Sequence, residues 1–317
     1  MAQRRKKSVS MAGMFLEMAV IIGLVVLLST LLWNQLKPAK KPGKPILGGT
    51  TPPITTPSGL PGQTVDPLNT TSPGPTLPLG EQAIADYAAA HGLTVEDYQM
   101  GFDYYPEKLY DAYEKSPEAR DFILRAPLEY NKTHEKDMSE FENVEGVPLF
   151  MQWDDRWGYT KYAYGLGGIT GCGPTCLSMV VYYYTKDPTY TPDYMMKFAE
   201  ENNYIGNEID ENGKRTGGTE WYLFDQGGEK LGFTVKRVPL DEGVLTRYLK
   251  AGTPVIVHLK ECKFTYNGHY IVLTGYENGR ITVNDPNSRA LSAEGCTYDE
   301  IENAIRNMWV FTPKQQQ

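Results

Sequence analysis

The apolar residues of the chain fall into sharply different patterns. From Met11 to Trp33 (MAGMFLEMAVIIGLVVLLSTLLW) they form an almost unbroken run of 23, with Glu17 as its single charge. At about 1.5 Å per residue such a helix covers a bilayer core of about 30 Å, which predicts a transmembrane helix over residues 11–33. Glu17 lies near enough to the start to snorkel, and Trp33 falls where an interfacial aromatic belongs. Residues 34–80 show no period and are rich in Pro, Thr, Gly and Ser. Such a segment cannot bury a core; at about 3 Å per residue it reads as a linker spanning up to ~100 Å.

Helical spacing returns over residues 81–145, where Tyr105, Leu109, Tyr110, Tyr113, Phe122 and Ile123 supply apolar positions. Pro106 opens PEKLYDAYEK, Ser116 with Pro117 reads as an N-cap and first turn, and Thr94 with Asp97 resembles a capping box. Pro127 predicts that the third helix stops near Arg125. This helical region is short for an independent domain and is expected to pack against the domain that begins near Val147. Beyond Val147, Pro174 opens an apolar run from Leu177 to Tyr184 that predicts a buried helix, with Tyr182, Tyr183 and Tyr184 as core and groove wall. The β-branched runs GTPVIVHLK (252–260) and GHYIVLTGY (268–276) predict strands. The second is followed by Glu277-Asn278-Gly279 and RITVND, a hairpin.

Charge sharpens this division. The net charge is -8, but residues 1–44 carry +7 and everything after Lys44 carries -15. An acidic body argues against nucleic acid as a partner, because phosphate binding needs a basic face. The tight cluster Arg4, Arg5, Lys6 and Lys7 before the apolar run favours a cytoplasmic amino terminus and an extracellular carboxy-terminal part at the cell membrane. The four cysteines, Cys172, Cys176, Cys262 and Cys296, are too few for a disulfide scaffold, although Cys262 and Cys296 are far enough apart to bridge in an oxidising compartment.

Cys172 stands between Gly171 and Gly173 where the buried helix begins. Unpaired N–H groups and the macrodipole at a helix start favour a thiolate, and the flanking glycines keep side chains away from an approaching carbonyl. His269 opens the first strand of the hairpin and Asp285 ends the second, so both fall at one end of it. A two-residue loop at Asn278-Gly279 would pair Glu277 with Arg280 and leave His269 and Asp285 on opposite faces. A three-residue loop, or a bulge that compensates, brings them to one face within hydrogen-bond reach, and this is the expected arrangement. Cys176, one turn on, reads as a buried helix residue, and His258, inside an apolar strand, as structural. A zinc site from Cys172, Cys176, His258 and His269 lacks a compact ligand spacing.

Taken in order, Gln152 and Trp157 in QWDDRW, Cys172 in GCGPTCLSMV, GGTEW at 217–221, PVIV at 254–257, His269 in GHYIVLTGY and Asp285 in NDP form a specific series. Over about residues 147–312 it resembles papain-fold peptidases of the bacteriocin-processing, double-glycine-leader type, in a stand-alone membrane-anchored form. The resemblance implies an α+β papain-like cysteine peptidase fold, with a helix bearing the nucleophile packed on an antiparallel sheet. It implies Cys172 as nucleophile, His269 as general base, Asp285 as the group orienting it and Gln152 as oxyanion donor, with no cofactor and no metal. The expected substrate is a peptide or protein, cell-wall peptide included. A P-loop signature is absent and only one span is present, so the chain does not read as the peptidase domain of an exporter.

The expected organisation is a basic tail (1–10), a transmembrane helix (11–33), a linker (34–80), a helical region (81–145) and a peptidase domain (146–314). Rival readings are a surface binding module that has lost catalysis and an amidase of peptidoglycan cross-bridges. The topology makes the first prediction: protease added to intact cells degrades the chain beyond about residue 45, and protection of the carboxy-terminal part would reverse the orientation.

Overall fold

In the computed structural model, which describes residues 77–207, 209 and 217–314, the helical spacing becomes three helices. They are α1 (Leu79–Ala90), α2 (Glu107–Lys115) and α3 (Arg120–Glu129). The Thr94–Asp97 capping box forms at the head of a single 3-10 turn, and Pro106 stands at the N-cap of α2. Two of the predicted signals act otherwise. The Ser116 side chain caps nothing; its hydroxyl accepts a hydrogen bond from Asn287 Nδ2 at 3.0 Å. α3 runs through Pro127 to Glu129, because a proline in the last turn forfeits little pairing while Phe122, Ile123 and Ala126 hold the helix on its core face.

These helices bury Ile84, Tyr98, Leu109, Phe122 and Ile123 in one cluster with Tyr159 and Leu166 of the following segment. The Leu166 N–H donates to the Tyr105 hydroxyl at 2.9 Å. The Phe122 ring lies so close to Gly158 and Gly168 that a Cβ on either would fall 2.8 or 2.3 Å from it. The helical region is therefore seated on the rest, as expected.

α4 (Cys172–Thr185) is buried at every residue from Gly173 to Tyr182. A helix apolar all round needs partners on all sides. It finds them in α5 (Pro192–Glu201) through Met195, Met196 and Ala199, in Phe150 and Trp157, and in a five-stranded sheet. That sheet consists of β1 (Phe233–Arg237), β2 (Val255–Leu259), β3 (His269–Glu277), β4 (Arg280–Asn284) and β5 (Ile305–Pro313), in the order β1-β5-β2-β3-β4. Every pairing is antiparallel. Side chains alternate across it as a period of two requires. Ile256, Tyr270, Val272, Trp309 and Phe311 join the α4 cluster. Val255, Val257, Ile271, Leu273, Met308 and Val310 pack on the other face with Leu245 and Leu249 of α6 (Glu242–Lys250). After β4 the chain turns into α7 (Arg289–Glu294).

The result is an α+β fold with the cysteine-bearing helix on an antiparallel sheet, as the sequence implies. All four cysteines are free thiols. Cys262 and Cys296 do not bridge: the backbone of one is turned into a bridge with Thr265 and that of the other pairs with Ile281. Among the described residues no helix is long and apolar enough to cross a membrane; the apolar run at 11–33 and nearly all of the linker lie outside them.

Because Phe122 fills the seam between α3 and the glycines before α4, Phe122→Ala is expected to cost about 3–5 kcal/mol. Chemical denaturation should show one lowered transition shared by the helical region and the sheet. A separate early transition would show that the helical region folds on its own.

Candidate active site

The site is assembled by an irregularity in the hairpin. Asn278 and Gly279 have φ of +51° and +81°, the turn has two residues, and Glu277 pairs with Arg280. In unbroken register this would leave His269 and Asp285 on opposite faces. The register shifts between Leu273 and Gly275, which makes Thr274 the extra residue of a bulge. Thr274 and Thr282 hydroxyls bond at 2.9 Å, and a Cβ on Gly275 would fall 2.8 Å from Thr282 Oγ1. Beyond the bulge Val272 stands opposite Asn284, and His269 Nε2 lies 2.7 Å from Asp285 Oδ1. Of the two expected routes to this contact, the bulge is the one taken.

Asp285 is fully buried and held from several sides. Its Oδ1 also accepts the Asn287 N–H at 2.8 Å, and its own N–H donates to Ser292 Oγ of α7 at 2.8 Å. The start of α7 is tied to the helical region: the Glu118 carboxylate accepts from Ser288 Oγ (2.8 Å), Arg289 N (3.1 Å) and Ala290 N (3.2 Å). Trp153 Nε1 donates to Asn287 O at 3.0 Å, and the Gln152 N–H to Pro286 O at 2.7 Å. Sequence reasoning missed Ser116 and Glu118 in this bracing. Their spacing signals a helix start, and nothing local announces a tertiary acceptor.

His269 Nε2 is committed to Asp285, and His269 and Cys172, the latter at the start of α4, line one cleft. Burial pushes the Cys172 thiol up, but hydrogen bonding and charge from His269, with the Tyr270 and Gly173 N–H groups, bring it below its ordinary value. Burial disfavours the His269 imidazolium too, yet the Asp285 charge and hydrogen bond, and then Cys172, raise it to about 10. Each shift favours the charged form of its group. The flanking glycines serve packing rather than open access. A Cβ on Gly173 would meet Thr219 Oγ1 at 2.6 Å, and one on Gly171 would meet Gly167 O and Met196 Cε at 2.5 Å.

Gln152 is brought to the same cleft although it stands twenty positions before Cys172. Gly168 N–H donates to Gly158 O (2.8 Å) and Gly167 N–H to Thr160 O (2.7 Å), folding the approach back on itself. The Gln152 Nε2 donates to Gly168 O at 3.0 Å, which spends one of its two amide hydrogens. Gln152 and Cys172 both line a cleft of ≈ 1490 Å3. The GGTEW segment lines it as well: Thr219 covers Gly173, and Tyr270 OH donates to Thr219 O at 2.9 Å. Its opposite wall is α2 and the turn at Ser116–Ala119, a contribution the sequence did not reveal. Tyr182, Tyr183 and Tyr184 lie away from the cleft, so they are not its wall.

His258 is structural. Trp221 Nε1 donates to its Nδ1 at 3.0 Å, its ring stacks on Tyr270, and burial, with Lys260 and His269 nearby, lowers it to about 4. Cys176 is buried, and burial pushes its thiol well above the ordinary range. Among the described residues no three His, Cys, Asp or Glu side chains converge as a metal-ligand set.

Residues 144–317 match the Peptidase_C39 like family. The chain belongs to that family. The family segment contains Gln152, Cys172, His269 and Asp285, and begins just after the helical region. Similar solved structures include a putative C39-like peptidase from Bacillus anthracis, at 19% identity over 55% of this chain and 100% of that one, TM-score 0.38. The peptidase domain of Streptococcus ComA, a bi-functional ABC transporter involved in quorum sensing, matches at 20% identity over 46% of this chain and 93% of that one, TM-score 0.33. A double glycine motif protease from an AMS/PCAT transporter, solved with its leader peptide, matches at 20% over 53% and 92%, TM-score 0.30. No curated protein matches the chain.

Two measurements check the geometry without assuming an activity. His269→Ala should raise the apparent pKa of Cys172, read from the pH dependence of its alkylation by iodoacetamide; an unchanged profile would mean that His269 does not lower this thiol. Glu118→Ala should speed hydrogen exchange of the amides from Asp285 to Ser292 while leaving those of β2 slow. Unchanged exchange would mean the Glu118 contacts do not brace this segment.

Proposed function

We propose that the chain is a cysteine peptidase in which Cys172, His269, Asp285 and Gln152 carry the chemistry. The observation that supports this most is the His269–Asp285 contact of 2.7 Å, with His269 and Cys172 lining one cleft. Membership of the Peptidase_C39 like family points the same way.

The thiolate of Cys172 attacks the scissile carbonyl carbon, and the developing oxyanion takes the free amide hydrogen of Gln152 together with the Cys172 N–H, one of the unpaired donors of the helix start. His269 gives its proton to the leaving amine as the C–N bond breaks, leaving a thioester on Cys172. The neutral imidazole then takes a proton from water, whose hydroxide attacks the thioester and restores the thiolate, and the imidazolium is regenerated. Asp285 holds the ring in the orientation that presents one nitrogen to Cys172, and its charge favours the imidazolium. The peptidase acts outside the cell, held at the membrane by the apolar run at 11–33 and set away from it by the linker.

Cys172→Ala should abolish turnover of a peptide library or of muropeptides, whichever is cleaved, while Cys176→Ala retains it. His269→Ala should lower kcat by roughly 10²–10⁴-fold. The pH profile should be a bell. Its acid limb, where the thiolate gains a proton, lies below the ordinary thiol range, and its alkaline limb, where His269 loses its proton, lies at about 10. Full activity of Cys172→Ala, or rising activity through the alkaline limb, would overturn the assignment. Cleavage of muropeptides alone would make the chain a cross-bridge amidase.

A further inference from the structure

Several ionisable side chains lining the cleft already have partners. Asp111 bonds Lys115 at 2.5 Å, Lys263 bonds Glu294 and Glu300, and Glu118 is occupied by α7. Two lining cations have no ion-pair partner among the described residues: Lys260, which is exposed, and Lys108, the second residue of α2. It is half-buried, it lines the same cleft as Cys172, and among the described residues no carboxylate is ion-paired with it. Its nearest aromatic contact is the Tyr104 ring, 6.0 Å from Nζ. Glu107 and Glu220 also line the cleft and form no ion pair with it. Burial lowers the Lys108 ammonium, and the Cys172 and Asp111 charges act against that.

A partly desolvated ammonium without a counter-ion costs free energy that an incoming anion can recover. We propose that Lys108 forms a carboxylate subsite in the cleft that holds Cys172, so that the preferred substrates carry a carboxylate near the scissile bond. The carboxylate can come from an acidic side chain or from a free carboxy terminus. The peptide nature of the substrate rests on the peptidase reading; the subsite does not. Cys172 and Lys108 come from different parts of the chain, and this joins the helical region to specificity. Lysine suits the task because its compact charge receives a carboxylate from several directions.

The test compares two small alkylating agents on the full-length chain. Iodoacetate and iodoacetamide both form an S–C bond to Cys172 and release iodide, and they differ by a carboxylate against a neutral amide. Rates are followed by mass spectrometry of the Cys172 peptide, with Cys172→Ala as the blank. The iodoacetate-to-iodoacetamide ratio should exceed that of a small free thiol by about tenfold or more, and fall by about fivefold or more in Lys108→Met and Lys108→Gln. Lys108→Arg should keep it. The iodoacetamide rate monitors the thiolate and the fold in each variant. A ratio like that of a free thiol, or one unchanged across the variants, would overturn the subsite.

Matched peptides then separate the two sources of carboxylate: Glu against Gln at each position near the cleaved bond, and free against amidated carboxy termini. A preference for the carboxylate member of a pair should be lost in Lys108→Met. If the alkylation ratio falls in Lys108→Met and no peptide is turned over, the subsite stands and the peptidase reading fails. If peptides are cleaved without any carboxylate preference, and the ratio is unaltered, the subsite fails and the peptidase reading stands.

Discussion

One hydrogen bond, from His269 to Asp285, governs how the rest of the site can be arranged, and it exists only because the hairpin breaks its own register. In a strand pair joined by a two-residue turn, parity assigns every side chain to a face, and no adjustment of rotamers moves a residue to the other. The extra residue at Thr274 changes the parity between the turn and the open end of the hairpin. Everything nearer the turn keeps its ordinary pairing, and His269 and Asp285, beyond the bulge, come to share a face. Gly275 makes the bulge possible, because the adjacent Thr282 hydroxyl occupies the place a Cβ would need. A conformational detail three pairs away from the site thus decides whether an imidazole and a carboxylate can meet.

What can be read from the amino acids depends on the same distinction between local and distant causes. The buried helix at Cys172, the paired strands and their turn are legible because each depends on period and on residues adjacent in sequence. The need for an odd loop or a bulge is legible too, since it comes from counting. Which of the two the chain uses is not, because Asn278-Gly279 suits a two-residue turn and the bulge is decided by packing of Thr274 and Gly275 against Thr282. Pro127 and Ser116 mislead for a related reason. Both are strong local signals, and in each case a tertiary partner outweighs them: the buried Phe122 face keeps α3 intact through its proline, and Asn287 claims the Ser116 hydroxyl. The glycines beside Cys172 suggest substrate access when read alone, whereas Thr219 and Met196 occupy the space they leave.

The helical region is the part whose role sequence conceals most. Its aromatic spacing accounts for a small core and gives no hint that Ser116 and Glu118 reach the loop after Asp285, or that α2 forms a wall of the cleft. Glu118 accepts three donors from the beginning of α7, a helix of only six residues that carries Ser292 against the Asp285 backbone. A short helix of this kind has little stability of its own. Its placement therefore depends on a carboxylate some 170 positions earlier in the chain.

That dependence has an energetic logic. Charged groups gathered out of water carry a desolvation cost that their mutual attraction offsets only when the geometry is held closely. Asp285 is wholly buried, so a loose loop would let it drift and expose the pair to water or leave a charge without its partner. Restraint from both directions prevents this: the bulged hairpin sets the face, and the helical region, through Glu118 and Ser116, fixes the loop after it. The neighbouring α2 places Lys108 at the cleft, where among the described residues no carboxylate is ion-paired with it. Support of the loop after Asp285 and the wall of the cleft in this way come from one region of the chain, which ties the two together: a change that loosens the helical region acts on Asp285 and on the cleft wall at once.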